Sequence, residues 1–463
     1  MDTTTCQARR QALATDMAQR AANGAILLLG NDEASRNYPD NVYPFRQDSS
    51  FLYFTGLRQA GQALLLLPDG EECLFGTPEH PDDVVWSGPH PTLHDHAVAA
   101  GIAGAEDLAK LGERLAALEQ KGLTVHYLPP YRGDRRQQLA SLLGLAPDGV
   151  ADGVSWDLVK AVIARREIKS EAEIAAIENA LSVTAEMYRT AMQMTRPGLV
   201  EAEIAGAMQA VALQRDRQQS FPPIVSIHGE VLHNTSYANT LTDGRLLVID
   251  SGAESPEHYA SDITRTLPVN GKYSTQQREI YEVVLSAQTT AIEMASPRVT
   301  NREMHLAAAR ATTVGLQALG LMRGDVDESV AAGAHALFFP HGLGHALGLD
   351  VHDMEDLGDL VGYEEGDKRS EQFGLGYLRF AKQLQPGYVL TVEPGCYFIP
   401  ALIDRWREQQ LHAEFINFDS LASYCEFGGI RIEDDILITE DGCRVLGTPI
   451  PKEPAAVEVA MAE

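Results

Sequence analysis

Leu246-Leu-Val-Ile-Asp250 is an apolar strand that ends in a carboxylate, and Asp262 follows in His258-Tyr-Ala-Ser-Asp262-Ile-Thr264. Folded as a hairpin, the two segments set Asp250 and Asp262 face to face on neighbouring strands. Two carboxylates held that close repel, so such a pair shares a proton or binds a cation. Two turn-proximal aspartates with no joint task are the plain alternative. Farther on, His341, His345 and His352 fall within twelve residues of the Gly-rich run Phe339-Pro-His341-Gly-Leu-Gly-His345-Ala-Leu-Gly-Leu-Asp350-Val-His352-Asp353, where the backbone can come close to a ligand. Glycine at 342 removes the H-E-x-x-H signature of zinc proteases. Glu393 ends the apolar run Val389 to Val392, and in Gly429-Ile-Arg431-Ile-Glu433 a period of two puts Ile430 and Ile432 on one face and Arg431 and Glu433 on the other. Four carboxylates emerging from apolar strands are costly unless compensated, and a pair of divalent cations would neutralise them. Four carboxylates with one or two imidazoles form a mostly oxygen donor set, which suits Mn²⁺, with Co²⁺ or Zn²⁺ as other occupants.

These residues need elements to hold them. In the first 165 residues, short apolar runs between turn signals (Ala25 to Gly30, Phe51 to Phe54, Ala63 to Pro68, Leu123 to Leu128) read as strands, with helices over Gln7 to Ala22 and Ala105 to Gln120. That combination predicts an α/β amino-terminal domain over 1–165, with Leu145 to Ser155 as the linker region. A second domain, 166–450, opens with helices that mark their own starts: Ser170 to Glu173 and Thr300 to Glu303 are capping boxes, and Ser274 or Thr275 caps a third helix. Strands follow Phe339, so the order helices, strand pair, helices, strands predicts an α+β domain without Rossmann alternation. The tail 451–463 reads as a frayed, flexible end.

The 463 residues include 37 Lys plus Arg against 65 Asp plus Glu, a formal charge of −28, which disfavours nucleic acid as a partner. No apolar stretch approaches the ~18 residues of a membrane span, and residues 1–20 have no signal-peptide core. Five cysteines without CxxC spacing fit a reducing, cytoplasmic setting and no thiolate zinc site.

Five motifs in order, D-x-G-A-E from Asp250, S-D-I-T-R-T from Ser261, P-H-G-L-G-H-x-L-G-L-D-V-H-D from Pro340, T-V-E-P-G from Thr391 and G-G-I-R-I-E-D-D from Gly428, resemble the pita-bread metallopeptidases, specifically the aminopeptidase P and prolidase branch. Tyr43 to Gly56 resembles the signature of the aminopeptidase P amino-terminal domain. The resemblance implies a pita-bread (creatinase/aminopeptidase-like) catalytic domain with Asp250, Asp262, His345, Glu393 and Glu433 as ligands of two divalent ions, Asp262 and Glu433 bridging both. It assigns His233, His341, His352 and Arg431 to catalytic support and substrate handling. The implied reaction is hydrolysis of the Xaa-Pro bond at the amino end of peptides by a hydroxide bridging the ions. His352 stabilises the oxyanion and Glu393 passes a proton to the leaving nitrogen. A homodimer or larger homo-oligomer is the expected assembly.

Leu384-Gln-Pro-Gly387, Tyr397-Phe-Ile399 and the insertion before Gly428 resemble prolidase, and Arg379 falls where prolidases hold the dipeptide carboxylate. A Xaa-Pro dipeptidase therefore stands beside the aminopeptidase, and a surface pairing of Arg379 with Glu371 or another acid stands beside the clamp. A non-catalytic pita-bread binding protein is the remote reading, weakened because all five ligands are present. Two departures from the family pattern concern substrate preference. The Asp250 to Asp262 spacing is one residue longer than in prolidases, which predicts a bulge at Ser255 to Glu257, and Asn234 follows His233 where Tyr is usual.

Overall fold

The computed structural model describes residues 2–20, 22, 24–78, 80 and 82–463. Ala21, inside the expected Gln7 to Ala22 helix, lies outside them. The chain divides into two compact units, one comprising the residues up to Arg166 with Met354–Gly358, the other Glu167–Asp353 with Asp359–Glu463.

The first unit is built on a mixed sheet of β1 (Gly24–Leu29), β2 (Ala63–Leu66), β3 (Glu72–Gly76), β4 (Gly104–Asp107) and β5 (Thr124–His126), in the order β4-β3-β2-β1-β5. β1 to β3 pair antiparallel, and the outer strands join parallel. Leu27, Leu65, Phe75, Leu115 and Leu139 meet in its core, where alternate strand residues face the helices. Two expectations change here. Phe51 to Phe54 is not a strand but part of the helix Ser49–Thr55, because the Asp48 carboxylate accepts from Phe51 N at 2.8 Å and Gly56 closes the helix at φ +71. Ala105 opens no helix either. Residues 104–107 are the edge strand β4, and the helix begins at Leu111. The expected linker region carries a 3-10 segment, Pro147–Gly153, and a further helix, Trp156–Arg166, follows within the same unit.

In the second unit, helices Glu171–Met194, Glu201–Gln214, Thr275–Met294 and Asn301–Ala318 accompany strands β6 (Ile224–Ser226), β7 (Leu246–Ser251), β8 (Ile263–Pro268), β9 (Val389–Val392), β10 (Gly395–Tyr397), β11 (Gly429–Arg431), β12 (Asp434–Ile438) and β13 (Cys443–Val445). At Ser274 and Thr300 the cap closes in both directions, while at Ser170 the Glu173 carboxylate accepts from Ser170 N at 2.9 Å and from its Oγ at 2.6 Å. β6, β7 and β8 run antiparallel in that order. β11 and β12 are two halves of one strand. β11 pairs β10 and β12 pairs β9 in a single register, interrupted where Glu393 and Glu433 stand opposite each other. At the gap Glu433 turns to β8, its N–H donating to Thr264 O at 3.1 Å. On the far side of β9, residues 343–347 run alongside, with Glu393 N donating to Leu343 O at 2.8 Å and Thr391 N to His345 O at 3.0 Å. β7, β8, the β11/β12 strand, the β9/β10 strand and the His345 segment are therefore successive neighbours.

The carboxyl end is not frayed. Pro454–Ala462 is a helix, held because Val457 is fully buried and Glu458 accepts from Arg278 at 2.6 Å and from Lys272 at 3.1 Å. Among the described residues no helix is long and apolar enough to cross a membrane.

Candidate metal centre

Register decides how the first two carboxylates meet. Asp250 pairs with Thr264, and Asp262 lies one residue before β8, so the two are diagonal neighbours on one face and not directly opposed. The hairpin keeps one register through the Glu254–Ala260 bridge, and the bulge falls at the tip on His258, opposite Ser255, rather than within Ser255 to Glu257. The extra residue is absorbed in the tip turn, where His258 takes φ +66 and donates its N–H to Ser255 O at 2.9 Å.

Asp262, His345 and Glu433 each bring one ligand atom to within 4.8 Å of the others. His345 Nε2 lies 3.5 Å from both Asp262 Oδ2 and Glu393 Oε1. Its Nδ1 faces Ala346 O at 3.1 Å, which fixes the proton on Nδ1 and turns the Nε2 lone pair toward the carboxylates. Asp250 joins them through Arg431, whose Nη2 donates to Asp250 Oδ2 at 2.6 Å. Asp250 Oδ1, Asp262 Oδ1 and Glu433 Oε1 are buried with no hydrogen-bond donor among the described residues. Burial and the neighbouring carboxylates push Asp262 and Glu433 well above the usual carboxylate range. Burial raises Glu393 too, against the pull of His345 and Arg431. Orphaned carboxylate oxygens of Asp262 and Glu433 beside one imidazole nitrogen, with that of Asp250 on the same cavity wall, are when deprotonated the donor set of a hard or borderline divalent cation, so the residues fit such an ion.

Around this cluster sits a layer of hydrogen-bonding groups that hold its members in place. Thr264 Oγ1 donates to Glu433 Oε2 at 2.7 Å and accepts from Arg431 Nε at 3.1 Å. Asp435 Oδ2 accepts from Asp262 N at 3.1 Å, and Thr391 Oγ1 accepts from His345 N at 3.1 Å. Arg265, fully buried, ties Glu433 O, Asp434 and Ile450 O together. Thr264 was findable, because it shares the parity of Asp262 along the strand. Tyr397 was not, since nothing in Gly395-Cys-Tyr397 announces a buried hydroxyl. Its Oη accepts from Arg431 Nη1 at 2.9 Å and donates to His341 Nε2 at 2.9 Å, while His341 Nδ1 donates to Gly342 O at 2.8 Å. Both nitrogens of His341 are thus engaged, and burial beside Arg431 pushes its pKa down to about 3, so the ring is neutral.

The cluster lines a cavity of about 480 Å³ whose apolar walls include Phe221, Ile224, Leu232, Phe373, Ile399 and Leu402. His233, His341, His352, Arg379 and Arg431 line it as well. His352 packs on His345 with ring centroids 3.9 Å apart, and burial near Arg431 lowers the pKa of His233. Asn234 builds the turn after His233, its Nδ2 donating to Ser226 Oγ at 2.7 Å and its Oδ1 accepting from Ser236 N at 2.9 Å.

Comparison with known proteins gives the arrangement its context. Residues 175–440 match the model of "Metallopeptidase family M24", and residues 6–126 match "Aminopeptidase P, N-terminal domain". The chain is 33% identical to the Xaa-Pro aminopeptidase of Escherichia coli (strain K12) over 98% of its own length and 97% of that protein. It is 32% identical to the Xaa-Pro dipeptidase of Mus musculus, covering 95% and 89%. Among solved structures, proline aminopeptidase P II from Yersinia pestis superposes with a TM-score of 0.82 at 30% identity, with both chains fully covered. Aminopeptidase P from E. coli with the inhibitor Pro-Leu superposes with a TM-score of 0.81 at 32% identity, covering 100% and 98%. With a family model over more than half of its length and relatives matched from end to end, the chain belongs to metallopeptidase family M24 and carries an aminopeptidase P amino-terminal domain.

Proposed function

We propose that this protein is a divalent-metal-dependent Xaa-Pro aminopeptidase, removing the first residue of peptides whose second residue is proline. One observation carries the reading: buried, orphaned carboxylate oxygens meet His345 Nε2 on the wall of an apolar cavity. Asp250, Asp262, His345, Glu393 and Glu433 would hold two divalent ions, with Mn²⁺ as the resident metal. Such ions supply a water deprotonated near neutral pH and polarise the scissile carbonyl.

The chain's own residues do the rest. Apolar walls select proline, because a tertiary amide leaves no N–H to read and only shape distinguishes it. His352 and His233, facing the cavity, orient the carbonyl and the amino end. Glu393, its carboxyl raised by burial and held by Thr391 Oγ1 at 3.4 Å, moves a proton to the leaving imino nitrogen. Arg431 fixes Asp250, and His341 acts through Tyr397. We place the enzyme in the cytoplasm, in keeping with five free cysteines, and expect a homodimer or larger homo-oligomer.

A dipeptidase is the second reading, because Arg379 lines the same cavity and a guanidinium matches a free carboxylate. Turnover of a Xaa-Pro dipeptide and a Xaa-Pro-Xaa tripeptide, with Mn²⁺ and with chelator, for wild type and Arg379→Ala, separates the two. We expect Mn²⁺-dependent tripeptide turnover that is indifferent to Arg379. Dipeptide-only turnover that collapses in the variant would make this a prolidase, and no turnover of either would return the protein to the non-catalytic binding reading.

A further inference from the structure

His352 lies on an irregular loop, residues 347–353, yet it stacks on His345 at 3.9 Å. What holds the loop is the next residue. Asp353 is 1% exposed; its N–H donates to Ala346 O at 2.9 Å, its Oδ1 accepts from Asp350 N at 3.3 Å, and its Oδ2 accepts from Lys169 Nζ at 2.8 Å. The Lys169 and Asp353 side chains are 2% and 1% exposed, a desolvated ion pair in which neither charge has water to fall back on. Lys169 is anchored from its other end, its N–H donating to Gly387 O at 2.9 Å, while Gly387 N donates to Ile438 O at the same distance. Leu347 N completes the frame by donating to Val389 O at 3.0 Å. The loop is packed so tightly that a β carbon at Gly348 would lie 2.4 Å from Asp353 Oδ2.

We propose that the Lys169–Asp353 pair is a positioning device that clamps the His352 loop to the start of β9, so that His352 is held in contact with His345 and over the cavity. Neither residue touches the reacting atoms; both act through His352. The role assigned to His352 rests on the proposed function, but the clamp does not.

The test uses the full-length, Mn²⁺-loaded protein as Asp353→Asn, Lys169→Met, the double variant and Lys169→Arg. Crystal structures and Mn²⁺ titrations accompany kcat and KM on a Xaa-Pro-Xaa tripeptide. In Asp353→Asn and Lys169→Met we expect the His352 ring to leave His345, kcat to fall about 10- to 100-fold, KM to move less than about threefold, and Mn²⁺ affinity to stay within a factor of about three. The double variant should be no worse than the worse single variant, since the pair acts as a unit. Lys169→Arg, keeping the charge, should recover most of the rate. A ring that stays on His345 in either folded single variant, additive losses in the double variant, or a rate loss fully accounted for by lost Mn²⁺ would each overturn the proposal. If Asp353→Asn does not fold, Lys169→Met with Lys169→Arg decides it, because a purely structural role would lower the melting temperature without moving kcat below it. A displaced ring in a protein whose wild type cleaves no Xaa-Pro peptide would sink the proposed function and leave the clamp standing.

Discussion

The hydroxyl of Thr264 binds no ion itself, yet it donates to Glu433 Oε2 and accepts from Arg431 Nε, so it joins a carboxylate facing the cluster to the guanidinium that grips Asp250. Replacing it by the isosteric valine keeps the volume of a fully buried position and removes both bonds. Partners of this kind orient ligands, and losing one typically costs about 10- to 100-fold in metal affinity. Thr264→Val is therefore expected to weaken Mn²⁺ binding by that order, as read by titration of the chelated protein, and to recover most of its turnover at saturating Mn²⁺. Affinity equal to wild type would show that Glu433 needs no such support. Glu433→Ala and Asp262→Ala differ in kind, because each removes a carboxylate from the cluster itself. Both should fold, as judged by circular dichroism, and lose peptide hydrolysis at any Mn²⁺ concentration; retained turnover in either would contradict the two-ion assignment.

At the scale of elements, what could be read from the sequence divides along physical lines. The capping signals at Ser170, at Ser274 or Thr275, and at Thr300 are local, since the cap residue and the residue three positions on serve each other's backbone groups, and all three helices begin where they should. Phe51 to Phe54 misled because a short buried apolar run carries no period that tells strand from helix, and the deciding group, the Asp48 carboxylate, lies outside the run. The alternation of Arg431 and Glu433 was legible, but the interruption of the ladder at Glu433 was not, because it depends on partners more than 30 residues away along the chain. Gly344 lies on the other side of β9, in the segment that carries His345. A β carbon there would lie 2.1 Å from Thr391 O, against the strand that leads to Glu393. Gly344→Ala must push the His345 segment off β9, and we expect loss of Mn²⁺ binding together with a lowered melting temperature, measured by titration and calorimetry. A variant that binds Mn²⁺ like wild type would mean that the segment can shift without cost. The carboxyl-terminal helix makes a milder demand. Deleting 453–463 uncovers the site of Val457, worth about 1.5–3 kcal/mol, and should lower the melting temperature while leaving KM unchanged; an unaltered melt would show that the helix adds nothing to the fold.

Across the whole molecule, an excess of acid that gives −28 of formal charge draws cations generally, but screening by salt makes that field weak beyond about 10 Å. Selective retention has to come from the buried carboxylates, and their protonation sets its pH dependence. In the metal-free protein, burial and mutual repulsion raise Asp262 and Glu433 well above their unfolded values, and Glu393 is raised by burial as well. A group whose folded pKa is raised contributes stability that is complete below the unfolded pKa and is lost as pH climbs through the folded one. Chelated protein should therefore grow less stable with rising pH over that window. Cation binding works in the opposite direction, because the ligands must be deprotonated, so binding releases protons and tightens as pH rises. At a hundredfold excess over Kd, bound Mn²⁺ adds about 2.7 kcal/mol to the folded state. The gap in melting temperature between Mn²⁺-loaded and chelated protein is thus expected to widen steadily from about pH 5 to about pH 8, and calorimetry in matched buffers measures it directly. In Asp262→Asn/Glu433→Gln the carboxylates no longer titrate, so the chelated protein should lose its extra sensitivity to rising pH and the gap should close. A gap that stays constant with pH in the wild type would mean that the carboxylates keep their charge without the ion, and that something other than a cation compensates them.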